Sequence, residues 1–158
     1  MVKELGYTMR EATAADVETI VHHRRAMFES MGFGDPVSLA RADREAAAFW
    51  GLALPTGAYG GWLVVAPSGE VVGGAGLCVL QVAGSPRNPS GRYAYLASLY
   101  VEPAHRRRGI ARAIMRTMIE WARSQGIIQL ALHASDEGRP LHESLGFRPT
   151  NEMRLLLQ

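Results

Sequence analysis

Apolar residues recur along this chain with two different spacings, and the changes between them mark the elements. Residues 13–31 carry Val17, Ile20, Val21, Met27 and Phe28 at helical spacing. They follow a Thr13–Asp16 pair that resembles a capping box with Asp in place of Glu. Gly32 and Gly34 end that helix, and Pro36 blocks an immediate restart. A second helix is predicted over 37–54, with Phe49, Trp50 and Leu52 late in it and Pro55 and Gly57 closing it. The spacing then shortens. Residues 61–66 and 70–82 read as two strands around Pro67-Ser68-Gly69, a hairpin signal. The second strand is apolar on both faces, as suits a central strand covered on each side. A polar loop over 84–91 leads to a strand at 93–101. The helix that follows, over 110–125, has Ile110, Ile114, Met118 and Trp121 as its core stripe. A strand at 127–133, a short helix at 139–145 stopped by Gly146, and a strand at 152–157 complete the pattern. Residues 7–10 supply a short first strand. The predicted order is βααβββαβαβ, one domain over 1–158 of α/β or α+β class.

Composition narrows the function classes. A length of 158 residues is ample for one core, and 47% apolar with 20% charged residues is an ordinary globular balance. The formal net charge of +2 provides no strong global field toward nucleic acid or a membrane surface. The single cysteine, Cys78, excludes an internal disulfide framework and fits a reducing, cytoplasmic setting. It lies in an apolar strand, where a small buried hydrophobe is expected rather than a nucleophile. Residues 1–10 have no apolar h-region, and no segment is long enough to span a bilayer.

Charge concentrates locally at His105-Arg106-Arg107-Arg108-Gly109-Ile110-Ala111-Arg112, between the 93–101 strand and the 110–125 helix. Strand, basic glycine turn and helix together form a phosphate cradle. The first N–H groups of a helix are unpaired and point outward, and the helix dipole adds positive potential there. Gly109 lets the backbone approach a ligand and the arginines supply charge. A nucleic-acid patch is the competing reading; it needs no such placement between a buried strand and a helix.

Three stretches resemble the GNAT family of acyl-CoA-dependent N-acetyltransferases. Arg106-Arg107-Arg108-Gly109-Ile110-Ala111 matches that family's Arg/Gln-x-x-Gly-x-Gly/Ala loop. Leu99-Tyr100-Val101-Glu102-Pro103 matches the Leu-x-Val-x-Pro strand end before it. Leu141-His142-Glu143-Ser144-Leu145-Gly146-Phe147 matches the later Leu-Tyr-x-x-x-Gly-Phe signature, with His142 in place of tyrosine. The resemblance implies a mixed, mostly antiparallel sheet flanked by helices. It also implies acetyl-CoA as co-substrate, its pyrophosphate held by the backbone of Arg107, Arg108, Gly109, Ile110 and Ala111. Arg106, Arg108 and Arg112 would assist as side chains. The pantetheine arm would run along the backbone of Leu99 and Val101, in a gap opened by a strand bulge. An N–H of Leu99 or Val101 would stabilise charge developing on the acyl oxygen. Ser135 stands where relatives often carry an asparagine and would hydrogen-bond the cofactor arm.

The resemblance places a proton donor for the departing thiolate at His142. A thiol pKa near ~8.5 asks little of that acid, so imidazole would serve as a cation or as a neutral N–H donor. The competing reading is an exposed histidine on a short helix. Relatives place bases at positions equivalent to Tyr95, Ala97 and Glu102. Ala97 cannot serve, Tyr95 is a poor base with a reference pKa near ~10, and Glu102 is chemically suitable. A water relay would need no dedicated residue.

The acceptor pocket implied by the fold draws on Phe28, Glu29, Met31, Phe33, Trp50 and Tyr95. Glu29 would pair with a cationic amine or stand as an exposed helix carboxylate. His22-His23-Arg24-Arg25 reads as a solvated helix face, because adjacent helical residues diverge and cannot easily share a metal. No metal is expected. The expected activity is transfer of an acetyl group to a primary amine of a small molecule or peptide, by direct attack in a ternary complex. The alternative is a coenzyme A-binding regulatory or interaction domain of the same fold. Neither nucleic acid nor membrane is an expected partner. The apolar tail Leu155-Leu156-Leu157 would complete the sheet or pair across a homodimer.

Overall fold

The computed structural model describes residues 5–157. The chain enters the sheet at β1 (Thr8–Glu11) and turns through a short 3-10 segment, Ala14–Asp16, into α1 (Val17–Ser30). Asp16 makes this corner. Its Oδ2 accepts from Thr13 N at 2.8 Å and from Arg10 Nη1 at 2.9 Å, and its Oδ1 accepts from Arg10 Nη2 at 2.7 Å. The guanidinium beside it holds the carboxyl far below the usual carboxylate range. Asp thus performs the capping-box role expected of Glu. α2 (Pro36–Thr56) begins at Asp35, whose carboxylate accepts from the N–H groups of Val37 and Ser38. It ends at Gly57, which takes the left-handed φ of 72° that closes many helices.

β2 (Tyr59–Val65), β3 (Val71–Gln81), β4 (Arg92–Val101) and β5 (Leu130–Ala131) complete a sheet of order β1-β2-β3-β4-β5. The first four strands are mutually antiparallel, and β5 joins β4 in parallel after the crossover helix α3 (Ile110–Ser124). β3 is the central strand, as its two apolar faces require. On one face α3 buries Ile110, Ile114, Met115, Met118 and Ala122 against Trp62, Val64, Val72, Leu77, Ala94 and Leu96. Each isoleucine, leucine, methionine or valine among them contributes on the order of 1.5–3 kcal/mol by leaving water. On the other face α1 and α2 pack Ile20, Trp50 and Ala53 over Tyr59 and Leu63. α4 (Arg139–Ser144) follows β5, with Leu141, Leu145 and Phe147 against the α3-side core.

β4 changes face partway along. Ala97 pairs with Gly76 and Tyr100 with Gly74, so Ser98 and Leu99 together stand opposite Ala75. This is a β-bulge, and Ser98 carries a left-handed φ of 59°. Before it the even residues Ala94 and Leu96 face the α3 core; after it the odd residues Leu99 and Val101 do.

Two expectations for the sheet are corrected. The strand at 127–133 contracts to Leu130–Ala131. The strand at 152–157 does not form: among the described residues no backbone N–H of 148–157 donates to a backbone carbonyl, and Leu155 and Leu157 are 81% and 87% exposed. A strand needs a ladder partner, and among the described residues no strand of the sheet pairs with this segment. The observed order among the described residues is therefore βααβββαβα.

Candidate functional site

Between β4 and α3 the backbone alternates in hand. A 3-10 turn, Pro103–His105, is followed by Arg106 in extended conformation, Arg107 at φ 62° and Gly109 at φ 80°. Such alternation turns successive N–H groups toward one concave side, the arrangement that binds anions. Among the described residues, none of the N–H groups of Arg107 through Arg112 donates to an acceptor in the chain. Ile110, 2% exposed, anchors the helix start in the core.

The arginine side chains brace the loop instead of facing outward as a set. Arg106 Nε donates to the Val101 carbonyl at 3.0 Å, and its guanidinium lies 5.8 Å from the Tyr100 ring. Arg108 donates to Tyr7 Oη at 2.8 Å and to the Ala104 carbonyl at 3.2 Å. Arg112 donates to Ser144 Oγ at 2.9 Å, tying α3 to α4. Arg107 is exposed and makes no side-chain hydrogen bond among the described residues. The unpaired donors of the loop are therefore backbone groups, while Arg106, Arg108 and Arg112 brace its shape and keep their charge beside it.

Beside this loop, β4 has an open edge. β5 pairs with it only at Ala94↔Leu130 and Tyr95↔Ala131, and the ladder does not continue toward Leu99 and Val101. Ser135 Oγ accepts from Gly138 N at 3.1 Å across the turn that starts α4, so its cofactor-facing capacity is what that bond leaves. His142 is buried at 8% exposure, which removes the exposed-helix reading. Its ring packs edge-on to Phe147 at 5.9 Å, and its Nδ1 is buried with no hydrogen-bond partner. Burial pushes its pKa below the usual imidazole value, so at neutral pH it is a neutral N–H donor, not a cation.

On the α1 face, Glu102 is not simply solvated. Tyr100 Oη donates to its Oε2 at 3.2 Å, while Oε1 lies 3.5 Å from His22 Nε2 and 3.9 Å from His23 Nε2. His22 is exposed, as expected for a solvated helix face, but His23 is 4% exposed and stacked 5.3 Å from Tyr100. The adjacent pair diverges as helical geometry requires, and only the second turns inward. Ile20, His23 and Met27 share the i, i+3, i+7 spacing that would have found it. His23 Nδ1 has no partner, and the ring lines a cavity of about 10 Å³, room for one water, together with Ser98, Tyr59 and Ala75. Desolvation lowers the His23 pKa, with Glu102 opposing the shift.

The acceptor-side candidates separate. Trp50 is corrected to core: it is 3% exposed and packed on Tyr59 at 5.8 Å between ring centroids. Glu29 is corrected to an outer-face carboxylate, exposed and 3.5 Å from Arg25 Nη1. Phe28 is half-buried beneath the Arg24 guanidinium at 4.7 Å, and Tyr95 Oη hydrogen-bonds His133 Nδ1 beside the tail residue Arg154. Arg24, expected on a solvated helix face, is instead half-buried and donates from Nη1 to Ser98 Oγ at 3.1 Å. Among the described residues, no cluster of three or more His, Cys, Asp or Glu is placed to hold a metal.

Comparison with known proteins agrees with this architecture. A GCN5-related N-acetyltransferase from Ralstonia eutropha JMP134 is similar in structure at a TM-score of 0.90 and 33% identity, over 96% of this chain and 99% of that one. A predicted acetyltransferase from Clostridium acetobutylicum, solved with acetyl-CoA, is similar in fold at a TM-score of 0.87 and 23% identity, over 96% of each chain. The glucosamine 6-phosphate N-acetyltransferase of Trypanosoma brucei brucei is 32% identical over 92 residues, 56% of this chain. That match spans 59% of the trypanosomal enzyme's length. The model of the acetyltransferase (GNAT) family matches residues 17–147, from α1 through the Gly146-Phe147 turn, and the chain belongs to that family.

Proposed function

We propose that the chain is an N-acetyltransferase that moves an acetyl group from acetyl-CoA to a primary amine in a ternary complex. The observation that carries this reading is the row of unpartnered N–H groups from Arg107 to Arg112, set beside the open edge of β4. Donors without acceptors at a helix start fit a pyrophosphate, and an unpaired strand edge fits an extended amide-bearing arm. Arg107, Arg108, Gly109, Ile110 and Ala111 would hold the phosphates by their backbone, Leu99 and Val101 the arm, and Ser135 its far side. Bound acetyl-CoA supplies the activated acetyl group and a thiolate leaving group.

The chain's own residues manage two protons. His142, neutral by burial, donates an N–H hydrogen bond to the departing thiolate, which takes its proton from the acylated nitrogen as the tetrahedral adduct collapses. The ammonium of the acceptor must shed a proton first. Glu102 takes it, with His23 and one water in the adjoining cavity as the route past Ser98. This joins the two bases left open by sequence, a carboxylate and a water relay, into one path. Relatives named for glucosamine 6-phosphate and for aminoglycosides make a small amino-bearing molecule the favoured acceptor over a peptide. The single half-buried cysteine suits a cytoplasmic setting.

The test is thiol release from acetyl-CoA with a panel of amines, repeated with Glu102→Gln, His23→Gln and His142→Gln. Each substitution is expected to lower kcat by about 10²-fold or more while acetyl-CoA affinity holds. Tight acetyl-CoA binding with no amine turned over would replace this reading by the coenzyme A-binding module.

A further inference from the structure

Arg24 lies in the middle of α1 and reaches the bulge of β4. Its Nη1 donates to Ser98 Oγ at 3.1 Å, and its guanidinium lies 4.7 Å from the Phe28 ring and 5.8 Å from the Trp50 ring. It is half-buried, and desolvation outweighs the opposing fields of Tyr59, Asp43 and Tyr95. Three arginines among the described residues hold carboxylates. Arg10 holds Asp16 at 2.7 Å, Arg25 holds Asp43 at 2.6 Å and Glu29 at 3.5 Å, and Arg154 reaches Glu152 at 3.3 Å. Arg24 has no carboxylate within 4.0 Å among the described residues. Asp43, the acid whose field reaches it, is already engaged by Arg25.

A guanidinium taken partly out of water ordinarily meets an anion, because its desolvation is otherwise offset only in part. Aromatic faces compensate some of that cost, and the hydroxyl of Ser98 takes one of five N–H donors. The remaining donors find no acceptor in the chain among the described residues. They form the planar fork that grips carboxylate or phosphate with two parallel bonds. Their position decides what such an anion would belong to. Ser98 is the pivot of the bulge, one residue from Leu99, and Tyr95 lies farther along the same strand. The fork therefore opens on the acceptor side of the reaction edge and not on the phosphate loop, where Arg106, Arg108 and Arg112 lie.

Building on the proposed transferase reading, we propose that Arg24 is the anion-binding residue of the acceptor site. The acceptor is then an amine with a carboxylate or phosphate a few bonds from the reacting nitrogen. A polyamine would bring further ammonium groups against this guanidinium and is selected against. The same cation discourages the protonated form of an amine nearby, which favours the nucleophilic form.

The test uses the full chain and matched acceptor pairs compared at equal free-amine concentration: aminoethyl phosphate against aminoethanol, and glycine against glycinamide. The native protein is expected to favour the anionic member by at least tenfold in kcat/KM, and comparing the two pairs distinguishes phosphate from carboxylate. Arg24→Gln is expected to raise KM for the anionic member at least tenfold and bring the ratio near one. Arg24→Lys, which keeps the charge without the fork, retains part of the preference. Equal use of both members by the native protein, or a preference that survives Arg24→Gln, overturns the proposal. A fall in kcat shared equally by all acceptors, with unchanged KM, also overturns it by making Arg24 a brace for the bulge. Calorimetric titration of the same four compounds into the coenzyme A complex separates this from the transferase reading. Arg24-dependent binding of the anions without turnover keeps the anion site and removes the transferase. Turnover of neutral amines alone does the reverse.

Discussion

Replacing one glycine at a time by alanine in two places is expected to move stability in opposite directions. A Cβ added at Gly76 on β3 would fall 1.9 Å from Tyr59 Oη, 2.0 Å from Cζ and 2.6 Å from Cε1. Ordinary carbon contacts lie at ~3.5–4.0 Å, so the phenol must retreat by about 1.5–2 Å. It has little room to do so. Tyr59 is 4% exposed, with Trp50 at 5.8 Å and Phe49 at 6.3 Å between ring centroids. Overpacking of this kind costs ~1–3 kcal/mol, and the depth of the overlap puts Gly76→Ala near about 3. At ~2–4 °C per kcal/mol for a chain of this size, the melting temperature should fall by about 6–12 °C. Gly51 is the control: it is exposed inside α2, and an added Cβ meets nothing within 4 Å. Gly51→Ala should stabilise by ~0.5–1 kcal/mol through reduced unfolded-state entropy and better helix propensity. Calorimetric melts of both variants and of Gly76→Ala/Tyr59→Ala measure the effect. The double variant should be less damaged than the sum of its parts, because removing the ring makes room for the methyl. A Gly76→Ala protein that melts with its parent, or two substitutions that simply add, would refute the stacking of Tyr59 on Gly76.

Stability should also depend on pH through the buried imidazoles. His23 and His142 both titrate below the usual ~6.5 in the fold, so between that value and their folded pKa the unfolded chain binds more protons. Folding stability is then full above pH ~6.5 and falls as pH drops below it, by up to ~1.4 kcal/mol per pH unit for each histidine. Urea midpoints from pH 7.5 to 5 should show this slope, and His23→Gln and His142→Gln should each flatten it. A profile level across that range contradicts the burial argument. Asp16 acts in a separate, more acidic window, since its depressed pKa makes its contribution full above ~3.8 and lost below. Asp16→Asn should cost ~1.5–3 kcal/mol at neutral pH by denaturant titration, because Arg10 and the Thr13 N–H lose a charged acceptor.

The elements legible in the sequence are those whose local chemistry and burial agree. α3 announces itself by a stripe from Ile110 to Met118, β3 by apolar residues on both faces, and the loop by a glycine between basic residues and a helix. The tail differs because Leu155-Leu156-Leu157 has a strand's composition, whereas pairing is a property of the neighbour and none of the described strands pairs with it. Trp50 was assigned to a pocket because nothing local distinguishes an aromatic residue that lines a cavity from one that fills it. His23 was hidden by His22, although its spacing from Ile20 marked it as inward. The arginines around Gly109 were legible as charge but not as braces, since their partners Tyr7, Val101 and Ser144 are distant or backbone groups.

The extra residue in β4 acts on the strand as a frameshift acts on a message. Side-chain faces are read two residues at a time, so one inserted position sends everything after it to the opposite side. Upstream of Ser98 the frame delivers Ala94 and Leu96 to the α3 core and Tyr95 to the other side; downstream it delivers Leu99 and Val101 to that core and Tyr100 to His23. Deleting Ser98 would remove the bulge yet leave Leu99 and Val101 on the α3 core and Tyr100 beside His23, because the regular ladder would then pair Leu99 with Ala75 and keep Tyr100 opposite Gly74. The two halves of the strand are thus written in different frames, and each half is free to change without retyping the other.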